Sequence, residues 1–92
     1  MAKVIIKMRV MPESTEVDLA ELEKILREKI EAFTEIPVSA VAQSPVAFGL
    51  NALDLSFAMD ESRGDTEVLE NDIAKLEQVT SVEITSVSRA LG

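Results

Sequence analysis

The stretch Leu50-Asn51-Ala52-Leu53-Asp54-Leu55-Ser56-Phe57-Ala58-Met59, near the middle of the chain, shows a clear strand pattern. From Leu53 onwards its large apolar side chains occupy every second position, and small or polar residues lie between them. Because successive side chains of a strand point to opposite faces, this pattern predicts one buried and one open face. We therefore expect a sheet that is covered on one side only.

Three other segments have strand character. Lys3–Val10 alternates in the same way, and Pro12 is expected to end it because proline has no N–H for a ladder. Val38–Val46 is a weaker β-like run of small residues. Val79–Ser88 forms the last predicted strand, with Val82 and Ile84 towards the core.

Two amphipathic helices are predicted between these strands. In the first, from about Asp18 to Phe33, apolar residues recur at three- and four-residue steps. Its start lies either near Thr15, which is spaced from Asp18 like a capping box, or at Asp18 itself. The second runs from an N-cap at Asp65 to about Glu77. Its inward positions are Leu69, Ile73 and Leu76.

The element order is therefore β-α-β-β-α-β. This order consists of two β-α-β halves, each with a crossover helix. With right-handed crossovers, the halves form a four-stranded antiparallel sheet with both helices on one face. This is an α+β fold, the ferredoxin-like split βαβ sandwich. No linker interrupts the sequence, so we expect residues 1–92 to form a single domain.

The composition argues against most kinds of chemistry. The chain has no Cys, His, Trp or Tyr, so it offers no thiol or imidazole nucleophile, no histidine general base and none of the usual soft metal ligands. It also has no Gly-rich phosphate nest and no basic aromatic sheet face for RNA. We expect no enzyme activity, no catalytic residue, no cofactor and no metal site.

The charge of the chain disfavours one class of partner but does not by itself select a partner, because a net charge of this size also simply keeps a small protein soluble. Seventeen acidic and nine basic side chains give a formal charge of -8, which repels phosphate backbones. A basic protein therefore fits better as a partner than a nucleic acid. Lys3 and Lys7 interrupt the apolar N-terminal run, and no stretch of eighteen apolar residues follows. We expect a cytoplasmic protein without membrane contact.

The loop before the central strand carries the main candidate site. Pro45 through Gly49 is expected to form the turn of a hairpin, and Gly49 is the residue best able to adopt a positive φ. Phe48 is then exposed at the tip. A loop phenylalanine of this kind either folds back over the edge of its own sheet or anchors the protein in a partner's pocket.

Several segments, in this order and spacing, resemble the archaeal elongation factor 1-beta family of guanine-nucleotide exchange factors. They are Met11-Pro12-Glu13-Ser14, Val17-Asp18-Leu19, the Phe48 loop, Gly64-Asp65-Thr66-Glu67 and Val79 through Arg89. The resemblance implies a role in translation elongation: release of GDP from the GTPase that carries aminoacyl-tRNA, elongation factor 1-alpha, so that GTP can enter. It implies binding to the GDP-bound and nucleotide-free forms of that GTPase.

The resemblance also implies roles for particular residues. Pro45, Val46, Phe48 and Gly49 match the family's loop, which contacts the nucleotide domain of the GTPase and inserts its aromatic residue between helices. Arg89 matches the position of a lysine that, in eukaryotic relatives, reaches the magnesium and phosphate region. Arginine keeps that charge, but its planar fork is bulkier than an ammonium group. It either enters the site or rests on a neighbouring carboxylate or phosphate.

Two other functions are compatible with the predicted fold. One is a ligand-sensing regulatory or protein-interaction module that dimerises through its sheet, although Met11-Pro12-Glu13-Ser14 lacks the expected glycine turn. The other, an acyl-phosphate hydrolase, lacks a phosphate-cradling loop. Oligomeric state distinguishes the first alternative, because we expect the exchange factor to be a monomer when it is free.

Overall fold

The computed structural model describes residues 3–63 and 66–90, which form one antiparallel sheet and two helices. In chain order, the elements are β1 (Lys3–Pro12), α1 (Leu19–Thr34), β2 (Ala40–Pro45), β3 (Asn51–Asp60), α2 (Glu67–Ala74) and β4 (Val79–Ala90). The strand order across the sheet is β2-β3-β1-β4. The predicted ferredoxin-like fold is confirmed. None of the helices described is long and apolar enough to cross a membrane.

The two central strands pair in a register that places their apolar residues on the same face. Val10 lies opposite Leu53, and Val4 lies opposite Met59. Ile6, Met8, Leu55 and Phe57, between these two pairs, are all buried. The alternation predicted for β1 and β3 is confirmed, and Val82 and Ile84 of β4 pack against the same core as predicted.

Both helices cover this apolar face. Leu22, Leu26 and Ile30 of α1 and Leu69 and Ile73 of α2 are buried in one cluster with the strand residues. Asp18 caps α1, because its Oδ1 accepts hydrogen bonds from the N–H groups of Ala20 at 3.0 Å and Glu21 at 3.2 Å. The start at Asp18 is confirmed and the start near Thr15 is wrong.

The two strands at the ends of the chain are longer than predicted. β1 continues through Pro12, which pairs with Val79 after a shift of register, so a residue without an N–H is tolerated at the end of the ladder. β4 extends through Ala90 rather than ending near Ser88. The bond from Glu13 N to Gln78 O, at 2.8 Å, continues the contact between these strands beyond Pro12.

Two other elements are shorter than predicted. β2 is Ala40–Pro45, although Ser39 still donates its N–H to Ser56 O at 2.8 Å. α2 ends at Ala74 because the Leu76 N–H bonds to Ile73 O at 3.0 Å, which tightens the chain into a turn. The predicted N-cap of α2, Asp65, lies outside the described residues.

The end of α1 depends on a buried hydroxyl. Thr34 is 3% exposed, and its Oγ1 lies 2.9 Å from Ile30 O and 2.8 Å from Ile36 O. The same oxygen accepts the N–H of Ile36 at 3.1 Å. Glu35 then turns the chain out of the helix with φ 63°. The hydroxyl therefore satisfies main-chain groups that the helix leaves unpaired.

Replacing this hydroxyl should destabilise the fold. Thr34→Val keeps the shape of the side chain but leaves the Ile36 N–H without its acceptor, so we expect the free energy of unfolding to fall by about 1 to 3 kcal/mol. Urea unfolding measures this change. Thr80→Val, on the exposed surface of β4, is the matched control and should change stability little. Equal effects of the two variants would contradict this role for Thr34.

Candidate functional site

A tight hairpin connects β2 to β3. The Val46 N–H donates to Leu50 O at 2.8 Å, and the Leu50 N–H donates to Ala47 O at 3.3 Å. Ala47–Gly49 forms one 3₁₀ turn between these bonds. Only three residues are therefore enclosed by the Val46–Leu50 pair, and Phe48 is the central one.

Phe48 projects from this turn into solvent. It is 94% exposed, which is the highest exposed fraction among the large apolar residues that the structure describes; Val68 and Val87 follow. The expectation of an exposed phenylalanine is confirmed, and the alternative that it folds back over the sheet edge is wrong. Covering its ring with apolar surface would be favourable, because aromatic side chains contribute strongly to buried interfaces.

The backbone at the tip is strained. Phe48 has φ 61° and ψ 28°, the left-handed conformation, and Gly49 follows with φ 74°. The positive φ predicted for Gly49 is confirmed, whereas that of Phe48 was not foreseen. A left-handed residue that is neither glycine nor asparagine costs about 1 to 2 kcal/mol. The turn therefore holds Phe48 outward in a conformation that an aromatic residue does not prefer.

The connection between β1 and α1 lies beside this hairpin. A side chain at position 49 would meet the methyl group of Thr15 at 3.9 Å. Glu13 and Glu16, in the same connection, are exposed. Pro45 is exposed on the hairpin itself, and Val46 is half-buried. The exposed tip thus lies beside a connection that carries acidic residues, a neighbourhood that the sequence did not indicate.

Arg89 lies on β4, in register with Val4 of β1. Its side chain is 64% exposed, and its Nη2 contacts the carboxylate of Glu61. Glu61 belongs to a single 3₁₀ turn, Glu61–Arg63, directly after β3. In the free protein the guanidinium therefore lies on a carboxylate of its own chain. The two residues are 28 positions apart, so no local sequence pattern marks this pair.

The two parts of the candidate site lie at opposite ends of the sheet. The hairpin adjoins Asn51, the first residue of β3, whereas Arg89 lies next to Val4, which pairs with Met59 near the other end. The segment of β3 from Leu53 to Met59 alone covers roughly 20 Å at about 3.3 Å per residue. The structure therefore does not bring Phe48 and Arg89 together, and a partner that contacts both must extend along the sheet.

Within residues 3–63 and 66–90, no three His, Cys, Asp or Glu side chains lie close enough to share a metal ion. The hairpin presents an aromatic ring on a rigid turn, and the opposite end presents a cation on a strand. This arrangement is suited to binding another macromolecule at two separated points.

The sequence matches the EF-1 guanine nucleotide exchange domain over residues 5–90, which include both of these points. The chain belongs to the EF-1 guanine nucleotide exchange domain family. Its function is guanine-nucleotide exchange in translation elongation.

Archaeal relatives of this exchange domain have nearly the same length. The elongation factor 1-beta of Methanothermobacter thermautotrophicus is 36% identical over 99% of this chain and 100% of its own. That of Methanocaldococcus jannaschii is 37% identical over 98% of this chain and 100% of its own. The Staphylothermus marinus protein of the same name is 40% identical over 97% of this chain and 98% of its own. The predicted archaeal elongation factor 1-beta resemblance is confirmed.

The strain at the tip of the exchange domain can be measured. Phe48→Gly removes an exposed side chain and relieves the left-handed conformation, so we expect the free energy of unfolding to stay equal or to rise by up to about 1 kcal/mol. Phe48→Ala also removes the ring but keeps a Cβ in the same conformation. We therefore expect the glycine variant to be the more stable of the two in urea unfolding. A glycine variant that is less stable than the alanine variant would show that the turn stores no strain.

Proposed function

We propose that this exchange domain promotes the release of GDP from elongation factor 1-alpha, with Phe48 as its anchor and Arg89 acting at the magnesium and phosphate region. The observation that carries the proposal is the 94% exposed Phe48 on a strained turn. Such a ring makes little contact within its own fold, so docking sacrifices few intramolecular contacts. A fully buried aromatic anchor typically contributes about 2 to 4 kcal/mol to binding.

Exchange follows from a difference in affinity. GDP is held by the phosphate loop, the switch segments and Mg²⁺ of a GTPase. A protein that binds both the GDP-bound and nucleotide-free forms, but prefers the second, shifts the equilibrium towards GDP loss. Each 1.4 kcal/mol of that preference weakens GDP binding about tenfold. No bond is made or broken by the exchange domain, so it acts as a binding protein and not as an enzyme.

The two points of contact have different tasks in this proposal. Pro45, Val46, Phe48 and Gly49 form the anchoring end, which enters a pocket of the nucleotide domain. Arg89 lies at the far end of the sheet, where its cation replaces part of what Mg²⁺ does at the phosphates. Because the two ends are more than roughly 20 Å apart along the strands, anchoring one end determines where the other can reach.

The charge of the protein supports a partner with basic surfaces. The formal charge is -8, and Glu13 and Glu16 are exposed in the connection next to the hairpin. Complementary charges at the rim of an interface accelerate association and orient the partners. In this proposal the pocket that receives Phe48 is bordered by lysine or arginine. The same charge disfavours direct contact with nucleic acid.

The proposal extends to the state of the free protein. Residues 1–92 act as one domain, which is a monomer before it meets the GTPase. It works in the cytoplasm, without contact to a membrane.

The first test is the release of a fluorescent GDP analogue from archaeal elongation factor 1-alpha, with excess unlabelled nucleotide and fixed magnesium. Substoichiometric exchange domain should accelerate release. Phe48→Ala should raise the KM for the GTPase by about 30-fold to 1,000-fold, which corresponds to the loss of an anchor worth about 2 to 4 kcal/mol.

The matched control for this test is Val68→Ala, because Val68 is also a strongly exposed apolar residue but lies on α2. We expect it to leave the KM unchanged. No acceleration by the wild-type protein, with both proteins folded and the GTPase active, would overturn the exchange function. Acceleration that is equally strong with Phe48→Ala would remove the anchor role.

The pair of Arg89 with Glu61 gives a second test with effects of opposite sign. Arg89→Ala removes the cation and should slow exchange. Glu61→Gln releases the guanidinium from its carboxylate, and because exposed ion pairs are worth about 0.2 to 1 kcal/mol, exchange should accelerate by up to about fivefold. The same nucleotide-release assay measures both rates. If both variants change the rate in the same direction, Arg89 does not act on the phosphate region.

A further inference from the structure

A cluster of three polar side chains connects three strands on the open face of the sheet. Arg9 of β1 donates from Nε to Oδ1 of Asp54 at 2.8 Å and from Nη2 to Oδ2 at 3.3 Å. The Ser44 hydroxyl of β2 donates to the same Oδ2. Asp54, on β3, is therefore held from both sides. The exchange mechanism described above assigns no role to any of the three.

The register of the sheet creates this cluster. Asp54 lies directly opposite Arg9 on one side and opposite Ala42 on the other. Ser44 lies two positions further along β2, opposite Ala52, so it reaches Asp54 diagonally past a small side chain. Arg9 and Asp54 are half-buried, with 37% and 33% of their side chains exposed.

Asp54 keeps its charge in this position. The hydrogen bond from Arg9 is the main reason that the pKa of Asp54 lies below its usual value, and the bond from Ser44 lowers it further, against the opposing effect of partial burial. Asp54 is therefore a carboxylate at neutral pH. Hydrogen bonds to an ionised acceptor are stronger than neutral ones, so Ser44 is bound by a charge-assisted bond.

The cluster lies at the base of the hairpin that carries Phe48. Among the strands described, β2 pairs only with β3, so it is an edge strand. Its last residue, Pro45, has no N–H to donate to the ladder. Ser44 immediately precedes Pro45. The Ser44–Asp54 bond thus provides a side-chain attachment at the point where the outer strand of the hairpin begins its turn.

We infer that Asp54, fixed by Arg9, holds the Phe48 loop in its docking position through Ser44. Asp54 and Ser44 are positioning residues in this inference, which rests on the proposed anchoring role of Phe48. Without the Ser44–Asp54 bond, the end of the outer strand is held by its main-chain contacts alone and moves more, so the ring loses part of the fixed direction that lowers the entropic cost of docking. The rate at which bound GTPase releases GDP does not depend on this attachment.

The primary variant for the test is Ser44→Ala, which removes only the hydroxyl. In the nucleotide-release assay it should raise the KM for the GTPase about threefold to tenfold, in line with the loss of one hydrogen bond, with kcat unchanged. Ser44→Thr keeps a hydroxyl and should keep the KM near the wild-type value. The matched control is Ser56→Ala, because Ser56 lies on the same face of β3 as Asp54. This variant should leave the KM unchanged.

A double-mutant cycle separates positioning from general stability. If Ser44 acts through the Phe48 ring, Ser44→Ala should cause no further rise in KM in the Phe48→Ala background. A rise of the same size in both backgrounds would overturn the inference, as would an equal effect of Ser56→Ala in the wild-type background.

Amide hydrogen exchange tests the hairpin without the GTPase. The Val46 and Leu50 N–H groups close the turn, so Ser44→Ala should accelerate their exchange while Ser56→Ala does not. Unchanged exchange at both amides would overturn the inference even if the wild-type protein is an active exchange factor. A wild-type protein that does not accelerate GDP release from the GTPase would overturn the proposed function. The amide-exchange result is independent of that outcome, so the two failures can be told apart.

Discussion

The antiparallel pairing of β1 with β3 is the constraint on which the rest of the molecule depends. Its register places Val10 opposite Leu53 and Val4 opposite Met59, so every second side chain enters the same core beneath both helices. The same register fixes the two ends of the candidate site. β3 begins at the hairpin that presents Phe48. β1 pairs with β4, and Arg89 lies near the end of β4 that is away from the hairpin. A change of register by one residue would expose the core and misplace both ends.

Two local features of the hairpin work against stability and, in the proposed function, favour recognition. Phe48 buries almost no surface within its own fold, and its left-handed backbone conformation is unfavourable for a residue with a Cβ. Both costs are small compared with the core, where residues such as Phe57 and Leu53 are fully buried. The sheet supplies the stability that allows the tip to remain strained, which is the usual relation between a rigid scaffold and a functional loop.

The fold could be predicted because its elements obey simple periods, and the exposed Phe48 could be predicted because Pro45 and Gly49 mark a turn. Errors occurred where tertiary contacts prevail over local rules, as at Pro12, which the ladder to β4 accommodates after a shift in register. The left-handed conformation of Phe48 could not be predicted, since aromatic residues rarely adopt it. The contact of Arg89 with a distant glutamate also had no local sequence signal, because it depends on how the strands end.

In the proposed mechanism, the separation of the two ends explains how such a small domain acts on a GTPase. An interaction confined to the anchor would bind all nucleotide states alike, and equal binding shifts no equilibrium. Discrimination requires a second contact that is favourable only when the nucleotide site opens. A sheet whose strands are fixed by hydrogen bonds holds that contact at a set distance from the anchor. In this mechanism, a nucleotide site closed around GDP prevents the second contact, and an open site permits it. The binding energy of the anchor therefore favours the open state, which releases GDP.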